Sequence, residues 1–81
     1  MTHEEVLKKL QFVFREVFDD NEVTISDATT ANDIEDWDSL AHMQLITEVE
    51  ETFGIKFNIG EINSFANVGE MARAIKERAE K

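Results

Sequence analysis

Eighty-one residues are expected to make one small domain, 1–81, and the absence of cysteine excludes both a disulfide framework and a thiolate metal site. Eighteen acidic against eight basic residues leave a net charge of −10. That balance excludes nucleic acid, which needs a basic face to displace phosphate counterions, and anionic membrane surfaces; it attracts basic protein partners instead.

The first element opens on Thr2-His3-Glu4-Glu5, a capping box with Thr2 as N-cap and Glu5 reaching back from the third helical position. Val6, Leu7, Leu10, Phe14, Val17 and Phe18 then recur at helical spacing, and Glu4/Lys8 and Glu5/Lys9 are favourably oriented i,i+4 pairs. This helix is expected to run to about Phe18.

Asp19-Asp20-Asn21 ends it and begins a long polar segment reaching Asp36, with Val23, Ile25 and Ile34 as its expected anchors. A structureless connection of that length is uncommon in a compact domain and is usually functional. It is not a calcium loop, because counting from Asp19 the third and fifth positions are Asn21 and Val23 and the turn glycine is missing.

A second helix starts at Asp38 or Ser39. Leu45, Ile46, Val49 and Phe53 form its inward stripe, and Ser39, Met43, Thr47 and Glu50 the stripe beside it. Gly54 suits a left-handed cap. Ile55-Lys56-Phe57 reads as a short extended link, and Gly60 to Phe65 as one or two helical turns burying Ile62 and Phe65. Asn67, with Glu70 three residues on, caps a last helix whose inner face is Val68, Met71, Ala72, Ile75 and Ala79; Lys76, Arg78 and Lys81 suit its negative end. The expected fold is all-α: a bundle of three main helices plus one short helix. No apolar run nears the ~20 residues that span a bilayer, and the N-terminus has no signal-peptide pattern, so a cytoplasmic chain without membrane insertion is expected, working as a monomer.

Charge is segregated around the second helix start. Residues 16–55 hold Glu16, Asp19, Asp20, Glu22, Asp27, Asp33, Glu35, Asp36, Asp38, Glu48, Glu50 and Glu51 without a single Lys or Arg. Simple solubilisation accounts for acidity but not for this clustering, which suits a docking surface. At its centre Ser39 stands at a helix start. Capping alone accounts for Asp38 and Ser39 as residue types, but not for the long loop in front of them.

Hydrolytic chemistry on Ser39 needs a base and an oxyanion hole. His42, at i+3, is expected to face solvent on the same convex surface, and no Gly-x-Ser-x-Gly elbow is present. Gly54, Gly60 and Gly69 are isolated, so no phosphate-cradling loop exists. The residues read as a non-enzyme whose serine is modified by another protein, and the helix dipole there favours an attached phosphate.

The stretch Asp33-Ile34-Glu35-Asp36-Trp37-Asp38-Ser39-Leu40, followed by Leu45-Ile46, Val49-Glu50-Glu51 and Phe53-Gly54-Ile55, resembles the acyl carrier proteins over nearly the whole chain. The resemblance implies 4′-phosphopantetheine on Ser39, transferred from coenzyme A by a phosphopantetheinyl transferase that recognises Asp38. Acyl groups would ride on this arm as thioesters, which places the reactive thiol on the cofactor of a cysteine-free chain. Leu40, Met43, Glu48, Glu50 and Glu51 would form the docking face for acyl-transferring or condensing enzymes with basic surfaces, in fatty-acid, polyketide or specialised lipid synthesis. Asp36 stands where many members have glycine, Gln44 and Thr47 replace an acid and a larger apolar residue, and Trp37 adds an aromatic group beside the site. These departures weaken the assignment to housekeeping fatty-acid synthesis and bring a specialised carrier, for a polyketide, a modified lipid or an activated amino acid, almost level with it. A peptidyl or aminoacyl carrier and a cofactor-free acidic helical adaptor are the alternative readings.

Overall fold

A computed structural model describes residues 2–79. Four α-helices follow one another: α1 (His3–Val17), α2 (Ser39–Phe53), α3 (Ile59–Ile62) and α4 (Val68–Ala79). Among the described residues there is no strand, and no helix is long and apolar enough to cross a membrane. Lys81 lies outside the described residues.

The capping box of α1 forms as the sequence dictates, with Glu5 N–H donating to Thr2 Oγ1 (3.2 Å) and Thr2 N–H to Glu5 Oε1 (2.9 Å). The bond from Thr2 N–H, and after it the Thr2 side chain, holds the Glu5 carboxyl below its usual range. The helix buries Val6, Leu10, Val13 and Phe14 against α2 and α4. Val13 belongs to the core although the expected stripe omits it; its neighbour Phe12, in the same apolar run, is 64% exposed. From α2 come Leu45, Ile46 and Val49, and from α4 Val68, Met71, Ala72 and Ile75. Burying each of the larger of these side chains, Ala72 apart, contributes about 1.5–3 kcal/mol before the entropy of ordering it is subtracted. Ala79 is exposed rather than inward, because α4 continues a turn past its last buried residue, Ile75.

The long loop is ordered from both sides. Arg15 Nε donates to Val23 O (2.8 Å) and Ile25 N–H to Gln11 Oε1 (3.1 Å), so α1 holds its first half, with Ile25 buried. Its second half docks on α4: Val68 N–H donates to Thr29 O (2.8 Å) and Gly69 N–H to Asp27 O (3.0 Å). A Cβ at Gly69 would lie 3.0 Å from both Asp27 Cβ and Asp27 O, so a side chain there would push the loop backbone away by a few tenths of an ångström and glycine suits this close approach. Ala31–Asp33 form a 3₁₀ turn rather than structureless chain, because Thr30 and Asp33 make a capping box of their own.

The return from α2 to α4 is equally constrained. Gly54 adopts the expected left-handed conformation (φ 65°). The short helix is a single turn, one residue earlier than Gly60, since Asn58 rather than Gly60 supplies the cap (Glu61 N–H to Asn58 Oδ1, 2.8 Å). Ile62 is buried and Phe65 half-buried, its ring 5.4 Å from that of Phe57. Asn67 caps α4 through Glu70 N–H (2.9 Å), while the Glu70 carboxylate reaches one residue further back, to Ala66 N–H (3.2 Å).

Candidate functional site

Asp38 is the N-cap of α2: its Oδ1 accepts from Ala41 N–H at 2.8 Å, which settles the helix start at Ser39. Ser39 thus occupies the first helical position, exposed, with no partner for its hydroxyl among the described residues. No described residue walls that oxygen in.

Two grooves flank it. One of about 500 Å³ runs between α1 and α2 and brings Leu40, Met43 and Glu48 together with Glu16 and Val17. The other, about 430 Å³, starts at Asp38 and Ser39 and passes Trp37, His42 and Met43 towards Asn63, Phe65 and Asn67. Met43 borders both. Leu40 is 71% and Met43 51% exposed, so two large apolar side chains stand bare within one turn of each other beside Ser39.

The other two docking candidates lie apart from this cluster. Glu51 is exposed one turn further on. Glu50 is half-buried, and its Oε2 accepts from Phe57 N–H at 2.8 Å, so its carboxylate tethers the link after α2. Thr47 bonds back to Met43 O (3.0 Å) along the same helix.

His42 departs most from expectation. It is half-buried, because two groups next to it lack each other's complement. The Trp37 indole N–H can only donate, and the Ile62 carbonyl, at the end of α3, can only accept. The imidazole serves both: Trp37 Nε1–H donates to His42 Nδ1 (3.0 Å), and His42 Nε2 meets Ile62 O (2.9 Å). The two rings stack at 5.8 Å and 25°. On its other side Trp37 meets Phe14 edge-on at 5.2 Å and Phe18 at 6.3 Å. An indole placed in a polar loop five residues before an imidazole is the available sequence signal for this contact.

Ser39 and His42 are therefore not a hydrolytic pair, since both imidazole nitrogens are engaged elsewhere. Among the described residues no three His, Asp or Glu side chains converge to hold a metal ion.

A phosphate ester on Ser39 fits this setting. The hydroxyl is accessible, the positive end of the α2 dipole faces it, and the groove past Trp37, His42 and Phe65 offers a mixed apolar and polar bed of ligand-binding size. The family model described as a phosphopantetheine attachment site matches residues 8–75. The chain belongs to that family. A solution NMR structure of holo acyl carrier protein from Geobacter metallireducens is similar at 41% identity and a TM-score of 0.88, covering 93% of this chain and 86% of that one. Comparison with the curated proteins finds no match.

The chain is thus an acyl carrier protein bearing covalent 4′-phosphopantetheine, a carrier rather than an enzyme, with the helical bundle of that family. Such a carrier works through a phosphopantetheinyl transferase and through partner enzymes that handle its cargo.

Proposed function

We propose that Ser39 is the attachment point and that Asp38 is read by the transferase beside it. The observation that carries this assignment is the free, exposed hydroxyl at the first position of α2, inside the matched region. In the modification, Ser39 Oγ attacks the β-phosphorus of coenzyme A. Its proton passes to a base of the transferase, a P–O bond forms, and the adenosine bisphosphate portion leaves; charge stabilisation comes from the transferase and its Mg²⁺. The arm supplies the thiol that carries acyl groups. This chain supplies the accessible oxygen, the dipole that faces the phosphate, and the surface that partners recognise.

Leu40, Met43 and Glu48 form the centre of that docking surface, with Glu51 extending its acidic rim and Glu50 adding charge to the field although its oxygen is engaged. Partners are acyl-transferring or condensing enzymes with basic surfaces, and encounter is steered by charge. The carrier acts as one domain and one monomer in the cytoplasm, in fatty-acid, polyketide or specialised lipid synthesis. Incubation of the apo protein with coenzyme A, Mg²⁺ and a broad-range transferase is expected to add one phosphopantetheine mass, and Ser39→Ala to abolish the addition. A mass gain that survives Ser39→Ala would overturn the assignment.

A further inference from the structure

The Trp37–His42–Ile62 bridge fixes the tautomer of the imidazole. Because Trp37 Nε1–H only donates, His42 Nδ1 must present its lone pair; because Ile62 O only accepts, His42 Nε2 must carry the proton. Only the neutral Nε2–H tautomer satisfies both. A protonated ring turns a second N–H against the indole donor and loses that bond, while the bond to Ile62 O survives. The bridge lines the groove that starts at Ser39 and joins three segments: the loop end carrying Trp37, the first turn of α2, and the end of α3.

We propose that neutral His42 is the positioning residue of the attachment site: it pins Trp37 and α3 around the groove beside Ser39, and protonation releases Trp37. This rests on the reading of Ser39 as the attachment point. The charged surroundings of the imidazole are sparse. On α2, Asp38 is one turn away with its carboxylate capping Ala41. On α3, Glu61 is turned to Arg78. The segment after α3 presents Asn63, Phe65, Ala66 and Asn67, the 3₁₀ turn presents Ala31 with Asp33 bonded to Thr30, and α1 faces Trp37 with Phe14 and Phe18. Among the described residues no carboxylate bonds to the ring to take over the role of the indole contact.

The test uses the apo protein first. Long-range ¹H–¹⁵N NMR near pH 8 is expected to show His42 as the Nε2–H tautomer, and the Trp37 indole N–H resonance, the only one in the chain, to move as the pH falls to about 5, the span over which imidazoles change charge. His42→Gln offers an acceptor and a donor with no titration, so its indole resonance should stay still. An Nδ1–H tautomer, or an indole shift unchanged by His42→Gln, would overturn the bridge. Transfer kinetics with one transferase then test positioning. His42→Phe should raise KM for the carrier about three- to ten-fold, the range that a single hydrogen bond commands, with kcat little changed, and His42→Gln should restore it. Equal KM for His42→Phe and the parent protein would remove the positioning role. If Ser39→Ala shows that the arm attaches elsewhere, the attachment reading fails while the NMR signals still judge the bridge.

Discussion

At its first turn α2 leaves Ser39, Leu40 and Met43 in solvent, with Asp38 alone committed to capping. At its last turn the neighbouring groups are consumed. Gly54 and Ile55 N–H both return to Glu50 O, and the Glu50 carboxylate takes Phe57 N–H. Arg78 Nε donates to Lys56 O at 2.9 Å, its guanidinium lies 5.2 Å over the Phe57 ring, and it pairs with Glu61. A helix end whose cap, carbonyl and half-buried carboxylate are all engaged, with Glu51 left exposed beside them, contributes mainly to the fold. An end that leaves a hydroxyl and two large apolar side chains unused has them available for the modification and docking proposed above. Substitutions at the closed end should therefore change stability and spare modification, and those at the open end the reverse.

The largest expected effect on stability is at Gly54. With φ at 65° and no atom within 4 Å of the place a Cβ would take, Gly54→Ala meets no clash, so its cost is that of left-handed backbone alone, about 1–2 kcal/mol. A lowered urea midpoint at unchanged m-value, with the rate of modification at Ser39 preserved, is the expected result. A slowed modification would mean that the two ends are coupled through α2.

Next comes the ion pair behind that end. The bond from Arg78 holds the Glu61 carboxyl below its usual range, against a smaller opposing effect of burial, and Asn58 N–H and the Arg78 charge add to the lowering. A carboxyl depressed on folding contributes stability that is present above its unfolded pKa and is lost as the pH falls through the folded one. Glu61→Gln should therefore cost less than about 1 kcal/mol at pH 7, both partners being 27% exposed, and the gap to the parent protein should close on acidification below the ordinary glutamate range. Urea titrations of both proteins at several pH values measure it; a gap that widens in acid would contradict the assignment.

Most of the closed end and the helix order are readable in the sequence because they depend on near neighbours. Thr2 with Glu5, Gly54 after Phe53, and the stripe Leu45–Ile46–Val49 are local patterns with one physical solution. Ser39 and Asp38 are readable for the same reason, as a cap and the residue after it. What escapes depends on contacts that no spacing encodes. Spacing alone puts His42 in solvent because its partner Ile62 lies twenty residues away. It puts Glu50 on the docking stripe because the tie to Phe57 N–H forms only once the chain has turned at Gly54. Gly69 gives no signal until the loop backbone at Asp27 is laid against it.

The smallest expected effect on stability, and the sharpest test of the contrast, lies at the open end. Leu40 and Met43 are more than half exposed, so Leu40→Ser and Met43→Ser remove little buried area and should leave the unfolding free energy within about 0.5 kcal/mol of the parent. Exposed leucine contributes to binding only when a partner covers it, so the loss should appear as a raised KM in reactions where a partner enzyme handles the carrier, with the mass gain at Ser39 still reached. Steady-state kinetics beside urea unfolding separates the two. If Leu40→Ser destabilised the protein as much as Gly54→Ala while leaving KM untouched, the groove between α1 and α2 would belong to the core, and the open end would be no different in kind from the closed one.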